Sequence, residues 1–140
     1  MPASGRASDG NRDNGSVNCP CGTVQPFEEC CGRLHSGAIT APTAVALMRS
    51  RYSAFAVGDV TYLLLTWDPS TRPATVTLDP DQRWQRLEIV DTVGGGLLHA
   101  EGTVEFRAHY RQGGRAGVLH ERSRFRRDDG RWVYVDGVHS

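Results

Sequence analysis

The chain has 140 residues, and its 16 Lys or Arg residues balance its 16 Asp or Glu residues, so the formal net charge is zero. A chain of this length builds one modest hydrophobic core with small appendages. Zero net charge provides no general attraction to nucleic acid or to an anionic membrane. Every apolar run is far shorter than the roughly 20 residues that span a bilayer. The N-terminus also has no apolar block of the kind found in signal peptides, so we expect a cytoplasmic protein without membrane contact.

The N-terminal segment differs in composition from the rest of the chain. Residues 1–17 are mostly Gly, Ser, Asn, Asp and Arg, with almost nothing to bury. Such a composition predicts a disordered leader.

The next stretch contains all four cysteines of the chain. One residue separates Cys19 from Cys21, eight separate Cys21 from Cys30, and Cys31 follows directly. Cysteines this close in sequence form disulfides only with strained geometry. Two such pairs on a tight loop can instead supply four thiolates to a tetrahedral zinc ion, and four protein ligands leave no open position. The spacing therefore predicts a structural zinc site, with reactive free thiols as the alternative.

The residues around the cysteines favour a compact metal loop. Gly22 can adopt a positive φ, and Pro26 is suited to the first turn of a short helix carrying the second cysteine pair. Gly32 is placed to end that helix, and Phe27 is expected to cover the metal. His35 follows closely, and we interpret it as a capping or surface histidine.

This stretch resembles the SEC-C zinc knuckle of the SecA translocase tail and of many small bacterial proteins. The likeness rests on Cys19, Pro20, Cys21, Gly22, Phe27, Cys30 and Cys31. Two acidic residues, Glu28 and Glu29, occupy positions where many such knuckles carry lysine.

The wider chain resembles the YchJ-like family of uncharacterised bacterial proteins. The likeness includes the segments Cys30–Gly37, Ala41–Ala44, Leu47–Phe55, Leu119–Phe125 and Gly130–Gly137. The resemblance implies a zinc knuckle at residues 18–37. It also implies a nuclear-transport-factor-two-like domain at residues 41–140, with the cystatin-like cone fold. It implies no reaction.

The first half of the region at residues 41–140 is predicted to be helical. Thr43 is a plausible N-cap, the segment Ala44–Val57 carries apolar residues at helical spacing, and Gly58 ends it. The apolar stripe consists of Val45, Met48, Tyr52 and Phe55. A second helix is predicted from the cap Asp59 through Trp67, followed by an irregular segment with one extended piece at Ala74–Leu78.

The second half of the same region is predicted to form β-strands. Four strands are predicted over Trp84–Val93, Leu98–Arg111, Arg115–Arg127 and Arg131–Val138, separated by Gly-rich hairpin signals. Helices followed by an antiparallel meander predict an α+β layout, in which the helices cover one face of the sheet.

Side-chain alternation along the third strand places an acid on the apolar face. Glu121 lies between Leu119 and Phe125 in the alternating row, where burial would suit it to proton transfer or ligand binding. The candidate pocket residues are Tyr52, Trp67, Trp84, Tyr110 and Glu121, and Glu121 is the single weak catalytic candidate. The alternative is a structural ion pair between Glu121 and Arg49 or Arg51 of the helix.

The opposite sheet face carries a row of arginines. The surface-binding candidates are Arg107, Arg122, Arg124 and Arg126. Such a row suits an acidic protein, a ribosome or RNA. The alternative is a solvated face with cross-strand ion pairs, for example between Glu105 and an arginine.

Together these patterns predict a binding or adaptor protein whose structural zinc organises one docking surface. The partner class is left open among protein, nucleic acid and small molecule. A small enzyme or small-molecule binder that uses the pocket around Glu121 is the alternative, and catalysis is the less favoured interpretation.

Overall fold

A computed structural model describes residues 18–139. The predicted leader, residues 1–17, lies outside the described residues. The structure contains a 3-10 turn at Phe27–Glu29 and then, in chain order, helices α1 (Cys31–His35), α2 (Ala44–Val57) and α3 (Val60–Leu65) followed by strands β1 (Gln82–Gly94), β2 (Glu101–Gln112), β3 (Arg115–Asp128) and β4 (Arg131–His139). Within the described range, none of the helices combines the length and the apolar character needed to cross a bilayer.

The four strands form one antiparallel sheet in the order β1-β2-β3-β4. This arrangement confirms the predicted α+β layout of helices on an antiparallel meander. Register shifts interrupt the pairing of β1 with β2 and of β3 with β4. Irregularities of this kind bend a strand and increase its local twist, so the sheet presents a curved face to α2.

The core lies between α2 and the curved face of the sheet. Buried and half-buried side chains alternate along β2 and β3, as expected for strands with one covered face. The main buried cluster contains Ala44, Leu47, Met48, Tyr52, Val104, Phe106, Ala108, Phe125 and Trp132.

Helix α2 is buried on more than its predicted apolar stripe. Met48 and Tyr52 from that stripe lie in the core, but Ser50, Arg51 and Ser53 are buried as well. The reason is that α3 and the cysteine loop cover the side of α2 that faces away from the sheet. The periodicity of apolar residues cannot reveal this second contact, because small and polar side chains make it.

Helix α3 begins as predicted but ends earlier. The Asp59 side chain accepts a hydrogen bond from the backbone N–H of Tyr62 at 3.0 Å, as expected of an N-cap. The helix stops at Leu65, and Trp67 instead pairs with Tyr134 of β4 in an isolated bridge. Backbone pairing to the sheet therefore replaces the last predicted helical turn.

The segment Ala74–Leu78 lies outside the sheet, within the predicted irregular segment, and its Val76 and Leu78 pack against the cluster around Leu63. The start of the second predicted strand needs correction. Strand β2 begins at Glu101 rather than Leu98 because residues 95–100 form a wide turn. The N–H of Gly95 donates to the carbonyl of Glu101 at 2.9 Å across this turn.

A buried carboxylate connects the segment after α3 to the sheet. Asp68 is 1% exposed and forms a bidentate ion pair with the guanidinium of Arg126. Its Oδ1 also accepts hydrogen bonds from the backbone and side chain of Ser70, both at 2.9 Å. The hydrogen bonds from Arg126 are the main reason that the pKa of Asp68 lies well below its ordinary range.

The ion pair predicts a pH-dependent contribution to stability. The folded-state pKa of Asp68 is depressed, so its stabilisation is present above the ordinary value of 3.8 and is lost as the pH falls below it. We expect Asp68→Asn to lower the melting temperature by several degrees at pH 7, and the deficit to shrink below pH 4, measured by circular dichroism. Asp91→Asn, an exposed site on β1, is the control and should melt like the parent. An equal deficit at every pH would contradict the assigned role of the charge.

Candidate metal centre

The four predicted cysteine ligands meet at one point. Their Sγ atoms all lie within 4.8 Å of one another, and the Sγ atoms of Cys21 and Cys30 are 3.6 Å apart. Tetrahedral zinc–thiolate bonds of roughly 2.3 Å place sulfurs about 3.8 Å apart, so the cluster fits such an ion. Cys19, Cys21 and Cys31 are buried, and all four thiols are free of disulfides. The donor set is therefore suited to zinc.

Local backbone geometry brings the first cysteine pair into place. The N–H of Gly22 donates to the carbonyl of Cys19 at 3.2 Å, and Gly22 has a φ of 103°, as predicted for this turn. The N–H of Cys19 donates to the carbonyl of Gln25 at 2.8 Å, which closes the loop. Pro26 directly precedes the 3-10 turn, and Phe27 packs against the cysteines.

Gly32 has a different role from the predicted one. It lies inside α1 rather than at its end. A Cβ at this position would lie 2.7 Å from the carbonyl oxygen of Phe27 and 3.2 Å from its ring. Glycine is therefore required so that the 3-10 turn can pack closely on α1. The positive φ after the helix belongs instead to Gly37.

Hydrogen bonding within the cluster favours one thiolate. A hydrogen bond with Cys31 is the largest cause that lowers the pKa of Cys21 to about 4, and the same contact raises the pKa of Cys31. Burial raises the pKa of Cys30, whose Sγ lies 3.2 Å from the hydroxyl of Thr23. A metal ion would therefore have to displace protons from Cys30 and Cys31.

The cysteine loop is attached to α2 by polar contacts. The Nη1 of Arg49 donates to the carbonyl of Cys21 at 2.9 Å, and the Sγ of Cys19 lies 3.5 Å from the Oγ of Ser53. These side chains lie on the face of α2 that the apolar pattern left unassigned. The contacts connect the cysteine loop directly to the core helix.

His35 makes the second attachment and is neither a surface nor a capping residue. Its side chain is 7% exposed, and its Nε2 donates to the carbonyl of Ser50 at 2.8 Å. Its ring lies 4.4 Å from that of Tyr62 and 5.4 Å from that of Phe27, measured between centroids. Its position four residues after Cys31 places it on the inward face of α1, a signal that the sequence alone contained.

The pocket candidates are only partly brought together. Tyr52, Trp84 and Glu121 line one cavity of about 90 Å³ between α2 and the sheet. Tyr110 is absent from its lining and instead stacks edge-on against Trp84 at 5.3 Å. Trp67 is likewise outside the lining, with its ring 5.1 Å from that of Tyr134.

Glu121 has partners other than the predicted arginines. Its Oε2 accepts from the hydroxyls of Ser123 at 2.6 Å and Tyr134 at 3.3 Å, and its Oε1 lies 3.0 Å from the Nε2 of His139. Burial raises the pKa of Tyr134 to about 12, so its hydroxyl remains a donor. A Cβ at Gly137 would lie 2.0 Å from Oε2, so glycine makes room for the carboxylate.

The expected ion pair of Glu121 with Arg49 or Arg51 is not formed. Arg49 reaches the cysteine loop, and the Nη1 of Arg51 donates to the carbonyl of Leu63 at 2.8 Å. Both arginines thus donate to main-chain carbonyls rather than to Glu121. Glu121 therefore takes its hydrogen bonds from hydroxyl groups and a histidine of the sheet.

The arginines of the outer sheet face are each beside an acid. The pairs are Arg107 with Glu88 at 3.4 Å, Arg122 with Glu105 at 2.9 Å, Arg124 with Asp136 at 2.6 Å, and Arg126 with Asp68. The cross-strand pairing of Glu105 agrees with the alternative weighed for this face. Charge on this face is thus largely balanced.

These features define an α+β domain of the nuclear-transport-factor-two-like class that carries a cluster of four cysteines. A profile described as "YchJ, middle NTF2-like domain" matches residues 43–137. A UPF0225 protein of Streptomyces coelicolor, SCO1677, is 60% identical over 119 residues, which cover 85% of this chain and 93% of that protein. A UPF0225 protein of Chromobacterium violaceum is 52% identical over 124 residues, covering 86% and 91% respectively. The chain therefore belongs to the YchJ-like UPF0225 family, as its motifs suggested.

Two solved structures resemble the chain. The solution structure of RPA3114, a SEC-C motif containing protein from Rhodopseudomonas palustris, has a TM-score of 0.76 and 34% identity and covers 89% of this chain and 99% of that one. The crystal structure of a SEC-C motif containing protein from Psychrobacter arcticus has a TM-score of 0.71 and 27% identity, with coverage of 88% and 82%.

From the contact between Arg49 and the cysteine loop, we predict how a substitution of Arg49 changes amide hydrogen exchange in the loop. A hydrogen bond from a charged donor contributes about 1.5–3 kcal/mol. We therefore expect Arg49→Gln to raise amide hydrogen exchange in residues 19–35 by about ten- to a hundredfold, because each 1.4 kcal/mol is roughly a factor of ten. Amide exchange in β2 and β3 should not change.

The matched control for this experiment is Arg33→Gln. Arg33 lies exposed on α1, so its replacement should leave exchange in the loop unchanged. Equal exchange in the two variants would show that Arg49 does not hold the loop.

Proposed function

We propose that this protein is a cytoplasmic zinc-containing binding or adaptor protein. Its four cysteines hold a structural zinc ion in a knuckle of the SEC-C type, and the knuckle presents a docking surface to a macromolecular partner. The observation that supports this proposal is the convergence of four Sγ atoms within 4.8 Å on a loop attached to the core helix.

The proposed zinc has a structural role. The four cysteines would occupy all positions of a tetrahedral site, so no position is left for a water molecule or substrate. When bound, the ion supplies cross-linking of the loop rather than Lewis-acid chemistry. Phe27 shields one side of the cluster, and three of the four ligands are buried.

The outward side of the knuckle has a distinct chemistry. Val24 is 85% exposed in the loop, and Glu28 and Glu29 of the same knuckle are also exposed. A knuckle that exposes an apolar side chain and two acids is complementary to a partner surface that combines an apolar recess with basic groups. The outer sheet face is a weaker candidate, because its arginines already have acidic partners. Fixing the loop on α2 reduces the conformational entropy lost on docking.

The zinc assignment predicts the outcome of removing one ligand. We expect Cys30→Ser to lower the bound zinc below one ion per chain and to unfold residues 19–35 while leaving the sheet folded. Structural zinc contributes on the order of 10 kcal/mol in small metal-folded units, so loss of one ligand is severe. Elemental analysis of protein purified without added metal, with NMR spectra of the sheet, measures both effects.

Ser53→Ala is the control for the ligand variant. Ser53 contacts Cys19 but is not a proposed ligand, so this variant should keep one zinc per chain. Full zinc stoichiometry in Cys30→Ser would contradict the four-thiolate assignment. So would metal-free protein with the sulfurs oxidised to each other.

The proposed docking surface on the knuckle can be tested separately, by capture of a partner. We expect a partner captured from cell extract by the tagged protein to be lost on chelation and on the double change Glu28→Gln with Glu29→Gln. The control Arg122→Ser with Arg124→Ser alters the sheet face and should retain that partner. If the sheet variant loses the partner and the knuckle variant keeps it, docking occurs on the arginine face instead.

A further inference from the structure

A cavity beneath α2 is independent of the proposed metal centre. It has a volume of about 90 Å³ and lies between α2 and the inner face of the sheet. Most of its walls are apolar or aromatic, formed by Met48, Tyr52, Phe55, Trp84, Phe106 and Leu119. Ligand sites in proteins commonly have this character, with a few polar groups that fix orientation.

A buried arginine supplies the first polar group. Arg51 is 3% exposed, and its Nη1 donates to the carbonyl of Leu63 at 2.8 Å and the hydroxyl of Thr66 at 2.7 Å. Within residues 18–139, no acceptor lies within hydrogen-bond distance of its other nitrogens. The faces of its guanidinium pack over the rings of Trp67 and Tyr134, at 5.1 and 4.6 Å. Unused donors of a buried cation thus border the cavity.

The cation remains charged despite its burial. Desolvation lowers the pKa of Arg51 to about 10, which is still well above neutral pH. A charged donor that faces the cavity and has no acceptor among the described residues can donate to a ligand oxygen there in place of water. Arg51 therefore favours a ligand that brings an oxygen atom into the cavity.

A carboxylate supplies the second polar group. Glu121 has two donors on Oε2 and the His139 ring near Oε1. A carboxylate offers about four lone-pair sites, so Oε1 can accept one more hydrogen bond. The lining thus offers a donor from Arg51 and an acceptor from Glu121, with opposite charges that balance.

We propose that this cavity binds a small uncharged molecule with a short branched apolar body and an amide-like head that accepts from Arg51 and donates to Glu121. A ligand anion would meet the like charge of Glu121, and a ligand cation that of Arg51, at low dielectric. An engineered cavity of about 150 Å³ accommodates benzene, so a cavity of 90 Å³ favours a body smaller than an aromatic ring. This site does not depend on the proposed knuckle partner.

Three probes of similar size test the proposal on the zinc-loaded full chain. Isobutyramide, isobutyrate and isobutylammonium have the same four-carbon frame and differ in charge. Titration followed by two-dimensional NMR should show saturable shifts for the amide at the Trp84 indole and in Ser123 and Tyr134. We expect both ions to bind at least about tenfold more weakly, the factor that corresponds to 1.4 kcal/mol. Equal binding of all three, or no saturable shift with the amide, would overturn the proposal.

Two variants separate recognition from general hydrophobic binding. Glu121→Gln removes the negative charge, so isobutyrate should gain affinity relative to the amide and become the tighter ligand. Ala108→Leu fills the cavity and should abolish binding of all three probes. Leu119→Trp is a second filling variant at a half-buried position, in case Ala108→Leu fails to fold. Unchanged zinc content and dispersed spectra confirm that each variant is folded.

Two outcomes would contradict the cavity as the binding site. Amide binding that survives both filling variants, or an unchanged preference in Glu121→Gln, would show that the cavity is not the site. Because zinc content is measured on the same samples, loss of the metal would be distinguished from failure of the cavity to bind.

Discussion

The structure depends on one helix that is packed on two opposite sides. One side of α2 buries Met48 and Tyr52 against the sheet, and the other places Arg49 and Ser53 against the cysteine loop. On this second side, Arg49 donates to the carbonyl of Cys21, and the small side chain of Ser53 lies against the Sγ of Cys19. An apolar residue in place of Arg49 would leave the Cys21 carbonyl without this donor, at a cost of roughly 1–3 kcal/mol. The helix thus serves both as part of the core and as the support for the knuckle.

In this arrangement, the folding of the knuckle and its orientation on the core have different sources of stability. A unit of about 20 residues lies below the size at which a hydrophobic core alone is sufficient, so a metal ion bound by the four cysteines would supply much of its folding free energy. Its orientation comes from α2 through Arg49 and His35, whose contacts are made to main-chain carbonyls. The metal and the helix are therefore not interchangeable. Zinc would hold the loop together, and the polar face of α2 would hold it in one place.

Much of the fold was accessible from local signals. The cysteine spacing and the Gly22 turn indicated the metal loop, and alternation with Gly-rich turns indicated the four strands. The spacing from Cys31 could place His35 on the inward face of α1, but its acceptor on α2 was not accessible. The close approach of Gly32 to Phe27 was not accessible either, because it depends on how the 3-10 turn packs on α1. The partners of Glu121 also escaped prediction. They come from the register of β3 with β4, whereas the sequence offered the nearest helix arginines as equally reasonable partners.

The outer sheet face shows how a local charge count can mislead. The arginines of β3 alternate along one strand, which suggests a basic surface. Their acids come from distant parts of the chain, such as Asp68 before the sheet and Asp136 on β4. The exposed pairs, such as Arg124 with Asp136, contribute only about 0–1 kcal/mol each, yet all of the pairs cancel charge that would attract a polyanion. Two other features of residues 18–139 carry charge that the sheet face does not balance: Arg51 borders the cavity, and Glu28 and Glu29 lie exposed on the knuckle. The proposed binding sites therefore lie at the cavity and the metal loop rather than on the most charged strand.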